Sequence, residues 1–97
     1  MKAIFISYNQ AIGEQVMAVL DRNYVRGFTR WTLTQGRGSF DGEPHYASHA
    51  WPSMNSSILT IVDDQKVESL LAALRELDAE APQQGIRAFV WEITGGL

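Results

Sequence analysis

Three consecutive residues, Gly36-Arg37-Gly38, combine two properties that phosphate recognition uses. Glycine lets backbone N–H groups approach an anion closely, and a planar guanidinium offers a fork of donors that matches phosphate oxygens. The same triplet also ends strands in ordinary turns, with its arginine in water. Further along, His45 and His49 stand four apart, a spacing that on a helix sets both imidazoles on one face. Asp41 and Glu43 add oxygen donors, while Pro44 and Pro52 flank the pair and work against a regular helix. Loops from several chains could join such groups into a zinc, nickel or copper site. Equally, each imidazole could pack on Tyr46 or Trp51 and bond a backbone carbonyl. Trp31, Trp51 and Trp91 could form an aromatic ligand wall, or simply pack in a core or interface with the indole N–H satisfied. Asp63 and Asp64 could hold a cation, but they read better as the negative start of a helix.

The elements that must position these groups come from a chain of 97 residues, one small domain with 45% hydrophobic residues and charges of both signs. A formal net charge of -3 provides no electrostatic footprint for nucleic acid or an anionic membrane. The absence of cysteine excludes disulfides, thiolate metal sites and cysteine nucleophiles, and it suits a reducing cytoplasm. The opening "MKAIFISYN" is too short an apolar run for a signal peptide, and no stretch reaches the roughly 20 apolar residues of a membrane span. The expectation is a cytoplasmic protein with no membrane insertion.

"KAIFISY" predicts a first strand ending at Asn9, a helix cap. Ile12, Val16, Val19 and Leu20 then recur with helical spacing through residues 10–23, where Gly13 weakens the pattern. Phe28 to Thr34 favours a second strand, "SILTIVDD" a third, and "IRAFVWEI" a fourth. Between the last two, Val67, Leu70, Leu71, Leu74 and Leu77 form the apolar stripe of a second helix, capped by Asp63 or Asp64 and closed by Pro82 and Gly85. The order βαββαβ is the ferredoxin-like α+β arrangement, an antiparallel sheet with two helices on one face. Two helices cover only one side. Yet Ala3 and Phe5 alternate with Ile4 and Ile6, and Phe89, Trp91 and Ile93 alternate with Ala88 and Val90, so both faces of these strands are apolar. A sheet wetted on one side should alternate with polar residues. The second face is therefore expected to be buried too, against further copies of the chain.

Specific words now join this layout. A helix leads into "VRGFTRWTLTQGRG", a long irregular connection follows, and "ILTIVDDQKVESLLAALREL" precedes a glycine-led final strand, "GIRAFVWEI". In this the chain resembles the PII-like superfamily, the nitrogen regulatory proteins among them. Their corresponding words are a Gly-x-Thr turn into strand two, a Gly-Arg step opening the T-loop, a V-x-D strand end and a glycine loop before strand four. The resemblance covers nearly the whole chain in layout and implies a single domain, 1–97, with a T-loop-like connection at about 39–55. It implies a homotrimer that binds a small effector, ATP or ADP, in clefts between subunits. Gly36, Arg37 and Gly38 of one subunit would meet Gly85 and Arg87 of another around the anion. The 39–55 loop, with Glu43, Tyr46 and Trp51, would engage a protein target such as a transporter or a metabolic enzyme. CutA-like relatives imply the alternative of a trimeric divalent-metal protein using His45 and His49.

The chain also departs from the family pattern. Gln84-Gly85-Ile86-Arg87 stands where the nitrogen regulators carry Gly-Asp-Gly-Lys, their C-terminal arginine pair is absent, and their tyrosine-bearing uridylylation segment is not recognisable. Catalysis finds little support. The loop "SYNQAIGE" lacks the arginine of acylphosphatases and the paired cysteines of heavy-metal chaperones, and no third group orients Ser48 with His45 or His49. A small oxygenase with His49 and Trp51 facing an apolar pocket is a further possibility. The reading is of a regulator rather than an enzyme.

Overall fold

The computed structural model describes residues 1–37 and 54–97. Four strands form one antiparallel sheet in the order β2-β3-β1-β4: β1 (Lys2–Asn9), β2 (Thr29–Thr34), β3 (Asn55–Val62) and β4 (Ile86–Glu92). Helix α1 (Gly13–Arg22) follows β1 and helix α2 (Val67–Glu80) follows β3. This is the ferredoxin-like βαββαβ arrangement.

The core lies between the helices and one side of the sheet. Ile4, Ile6 and Tyr8 of β1, Ile58 and Val62 of β3 and Ile86 of β4 are buried there with Val16, Val19 and Leu20 of α1 and Leu70 and Leu74 of α2. Strand register explains the set. Ile6 lies opposite both Ile58 and Ala88, and Ile4 opposite Thr60 and Val90, so these side chains stack in rows on one face. Thr60, the buried polar member, donates its hydroxyl to the Gly27 carbonyl at 2.6 Å and so anchors the entry to β2.

Helix boundaries follow local hydrogen-bond supply. The Asn9 side chain accepts the Ala11 N–H at 2.8 Å, which caps a 3-10 turn over Gln10–Ile12. The α-helix proper begins at Gly13, so this glycine occupies its first position rather than its interior. At the other end Tyr24 adopts a left-handed conformation (φ 57), and the Val25 N–H returns to the Leu20 carbonyl at 2.9 Å. Lys66 donates to the Tyr24 carbonyl at 2.9 Å, a cation placed against the negative end of α1.

The expected carboxylate cap of the second helix is not made. Neither Asp63 nor Asp64 gives a side-chain cap hydrogen bond, and a 3-10 turn over Asp64–Lys66 leads into α2. Asp64 turns instead to the amino group of Met1 at 2.9 Å and to Lys2 at 3.7 Å. Two full charges outbid a backbone N–H. Strand β3 also begins two residues before the expected Ser57. Asn55 and Ser56 are polar, but they pair with Asn9 and Tyr8 and are buried.

Candidate functional site

The face without helices carries the residues that a binding site would need. Opposed residues share a face, so the register defines successive rows across it. Ala3 is flanked by Ile61 and Trp91, and Phe5 by Leu59 and Phe89, with Thr29 beyond Leu59. The next row turns polar: Ser7 is flanked by Ser57 and Arg87, with Trp31 beyond Ser57. The last row holds Asn9, Asn55 and Thr34. The face thus passes from apolar to polar along the strands, and its polar end is the one from which residues 35–54 leave and return.

Hydrogen bonds tie that polar end together. The Asn55 amide donates to the Ser7 hydroxyl at 3.4 Å, and the Thr34 and Ser57 hydroxyls lie 3.4 Å apart. Gly36 packs directly on the Asn55 side chain, where any Cβ would collide with the amide nitrogen. A side chain at position 36 would have to displace that amide. Arg37 follows it and is exposed. On the opposite edge Gly85 sits at φ 72, in the left-handed region, and turns the chain into β4. Arg87 is exposed, and its Nη1 donates to the Ile86 carbonyl at 3.0 Å. No salt bridge within 4.0 Å neutralises either arginine among the described residues.

Gly36, Arg37, Gly85 and Arg87 therefore share one end of the sheet, but they are not brought into one grip. β2 and β4 are the two edge strands. Three inter-strand spacings separate them, about 14 Å. Gly38, Glu43, His45, Tyr46, His49 and Trp51 lie outside the described residues. Among the described residues no group of three or more His, Cys, Asp or Glu could hold a metal ion. Trp31 and Trp91 stand on the helix-free face, each 46% exposed, and form no enclosed aromatic pocket with one another because they lie in different rows on opposite edge strands.

The pair of polar rows that holds Ser7, Ser57 and Asn55 joins the site only through the register. Its one trace in the sequence is that Ser7 and Asn55-Ser56-Ser57 interrupt otherwise apolar strand segments. On the helix side of the sheet a separate cleft of about 470 Å³ opens between α1 and β2. Tyr8 and Ser56 line it together with Glu14 of α1 and Arg30 of β2. Burial pushes the Tyr8 hydroxyl above its ordinary pKa, and a hydrogen bond with Ser56 opposes the shift. That phenol stays protonated at neutral pH and serves as a hydrogen-bonding group.

The ferredoxin-like sheet thus presents a helix-free face with Trp31, Ile61, Phe89 and Trp91 exposed and an exposed arginine at each edge of its polar end. No family model matches the sequence, and no curated protein matches it either. Solved structures do. CPII, a nitrogen regulatory PII-like protein from Thiomonas intermedia, solved with ADP and bicarbonate, aligns at a TM-score of 0.74 and 27% identity over 95% of this chain and 84% of its own. The same protein with ADP, AMP and bicarbonate aligns at 0.76 and 22% identity over the same shares. A PII-like signalling protein of Thermus thermophilus aligns at 0.61 and 25% identity over 95% of this chain and 85% of its own. The chain thus shares its fold with these PII-like proteins. Among the described residues no helix is long and apolar enough to cross a membrane.

Proposed function

We propose that this chain is a cytoplasmic PII-like regulator that assembles as a homotrimer and binds an adenine nucleotide, ADP or ATP, in clefts between copies. The observation that carries the reading is the graded helix-free face. Its apolar rows suit burial against sister chains, and its polar end presents the half-buried Ser7 hydroxyl and two exposed arginines to an anion. Since Arg37 and Arg87 lie on opposite edges of one sheet, a neighbouring chain can supply the second half of each grip. Arg37 and Arg87 would fork the phosphates, with Gly36, Gly38 and Gly85 admitting them close to the backbone. The nucleotide-bound CPII structures support this ligand class, and their bicarbonate points to the same affinity for small oxyanions.

Regulation then works through the 39–55 segment that leaves this polar end. A nucleotide that binds one arrangement of the segment more tightly shifts the population toward it, and that arrangement engages or releases a protein target. The role is regulatory rather than catalytic.

Light scattering and calorimetric titration with ADP and ATP test the proposal together. We expect a particle of three times 10.8 kDa. We also expect a nucleotide affinity that Arg37→Ala weakens by about tenfold or more, the loss of a charge-assisted contact. A lone 10.8 kDa particle whose melting temperature ignores saturating nucleotide defeats the reading.

A further inference from the structure

Between α2 and β4 the chain makes a turn held at two points. The Gln84 N–H bonds the Ala81 carbonyl at 3.0 Å, closing the 3-10 turn over Pro82–Gln84. One residue later Gly85 takes its left-handed conformation, and then the Ile86 N–H is accepted by a carboxylate oxygen of Asp78 at 2.9 Å. Asp78 lies in the last turn of α2, a position where a carboxylate is disfavoured by the negative helix end. Its burial is partial, and no lysine or arginine pairs with it among the described residues. The helix therefore carries an unfavourably placed charge that accepts the first N–H of β4.

That N–H stands one residue before Arg87. The Ile86 carbonyl in turn accepts Nη1 of Arg87 at 3.0 Å. Asp78 thus holds the Gly85–Ile86 peptide, and the next peptide carries the carbonyl on which the guanidinium rests. We infer that Asp78 is a positioning residue for anion binding, holding the Gly85–Ile86 turn so that Arg87 is presented at the polar end of the helix-free face. The inference rests on the reading of that end as a nucleotide site. It adds a residue of α2, remote from the Gly-Arg words of the sequence, to the machinery of that site. An Asn at 78 would keep the acceptor oxygen and remove the charge, while an Ala would remove both.

The test is calorimetric titration of the full chain with ADP for wild type, Asp78→Asn, Asp78→Ala, Arg87→Ala and the Asp78→Ala/Arg87→Ala pair. Asp78→Ala should weaken ADP binding by about tenfold, the effect of leaving the turn in its binding-competent arrangement about a tenth of the time. Asp78→Asn should stay within about twofold of wild type, and in the Arg87→Ala background Asp78→Ala should add less than about twofold. Amide exchange of Ile86 in the wild-type chain gives a readout that needs no variant to fold, and saturating ADP should slow it. Equal binding by wild type and Asp78→Ala overturns the inference alone. So does an additive double variant, or an Ile86 amide indifferent to bound ADP. A wild-type chain that takes up no ADP overturns the nucleotide reading, and this role falls with it.

Discussion

The two faces of the sheet are made from the same strands and the same kinds of residue, yet they stand in different environments. Ile4 and Ile6, pointing toward the helices, are 0% exposed, whereas Phe89 on the other side is 60% exposed in the single chain. Strand residues alternate between the faces, so position along the sequence does not separate the two sets. The contrast shows that the helices satisfy only half of the apolar surface this sheet presents. The polar rows at one end of the uncovered half show that it is not uniform. An interface needs the apolar rows, while an anion site needs the row through Ser7, Ser57 and Arg87, and the register places the two next to each other.

Three perturbations sharpen that contrast, in order of falling effect. Ile6→Ala, deep on the helix side between Ile58 and Ala88, should lower unfolding free energy by about 3 kcal/mol through lost burial and the cavity left behind. Urea denaturation at fixed protein concentration measures this. Phe89→Ser on the helix-free face should behave in the opposite way. Being exposed in the single chain, it should change the stability of a separated subunit by less than about 0.5 kcal/mol. It should nevertheless weaken association by about 30-fold or more, the equivalent of re-exposing one aromatic side chain. Sedimentation across a dilution series reads this, and an unchanged mass distribution would remove the distinction between the faces as proposed.

The smallest effect belongs to the rim. Lys2 donates to both carboxylate oxygens of Glu92 at 2.7 Å, and this hydrogen bond, ahead of the attraction of Asp64, raises its pKa. A raised lysine pKa contributes stability below the unfolded value, and the contribution disappears as pH rises through the folded value. The wild-type melting temperature should therefore fall slightly more steeply than that of Lys2→Met in strongly alkaline solution. The difference should shrink in high salt, because both partners reach solvent and salt screens them. Parallel curves at low salt would deny the pair any stabilising role.

Much of the fold was legible in the order of residues. The apolar spacing of Val16, Val19 and Leu20, and of Leu70 and Leu74, marks the two helices, and these residues are indeed the buried ones. The cap at Asn9 was also legible, because a side-chain acceptor two residues from an orphan N–H is a local event. The beginning of β3 was not, since Asn55 and Ser56 look like loop residues until Asn9 and Tyr8 are placed opposite them. Asp64 misled for the same reason. Its partners, the Met1 amino group and Lys2, are far away in the chain. In the candidate site the Gly36-Arg37 step and the Gly85-to-Arg87 segment could be named from residue type. Their neighbours Ser7, Asn55 and Ser57 could not, because hydroxyl and amide side chains carry no spacing signal of their own.

Residue order by itself determined the periodicities, hence the number and kind of elements and the two-faced apolar character of β1 and β4. Those properties depend on near neighbours along the chain, where side-chain direction repeats every two or 3.6 residues. Which residues share a row, which edge each arginine occupies, and that Asp78 meets the first N–H of β4 were decided only by the tertiary structure. Such relations are set by strand register and helix docking, free energies summed over residues distant in sequence, and no local pattern encodes them.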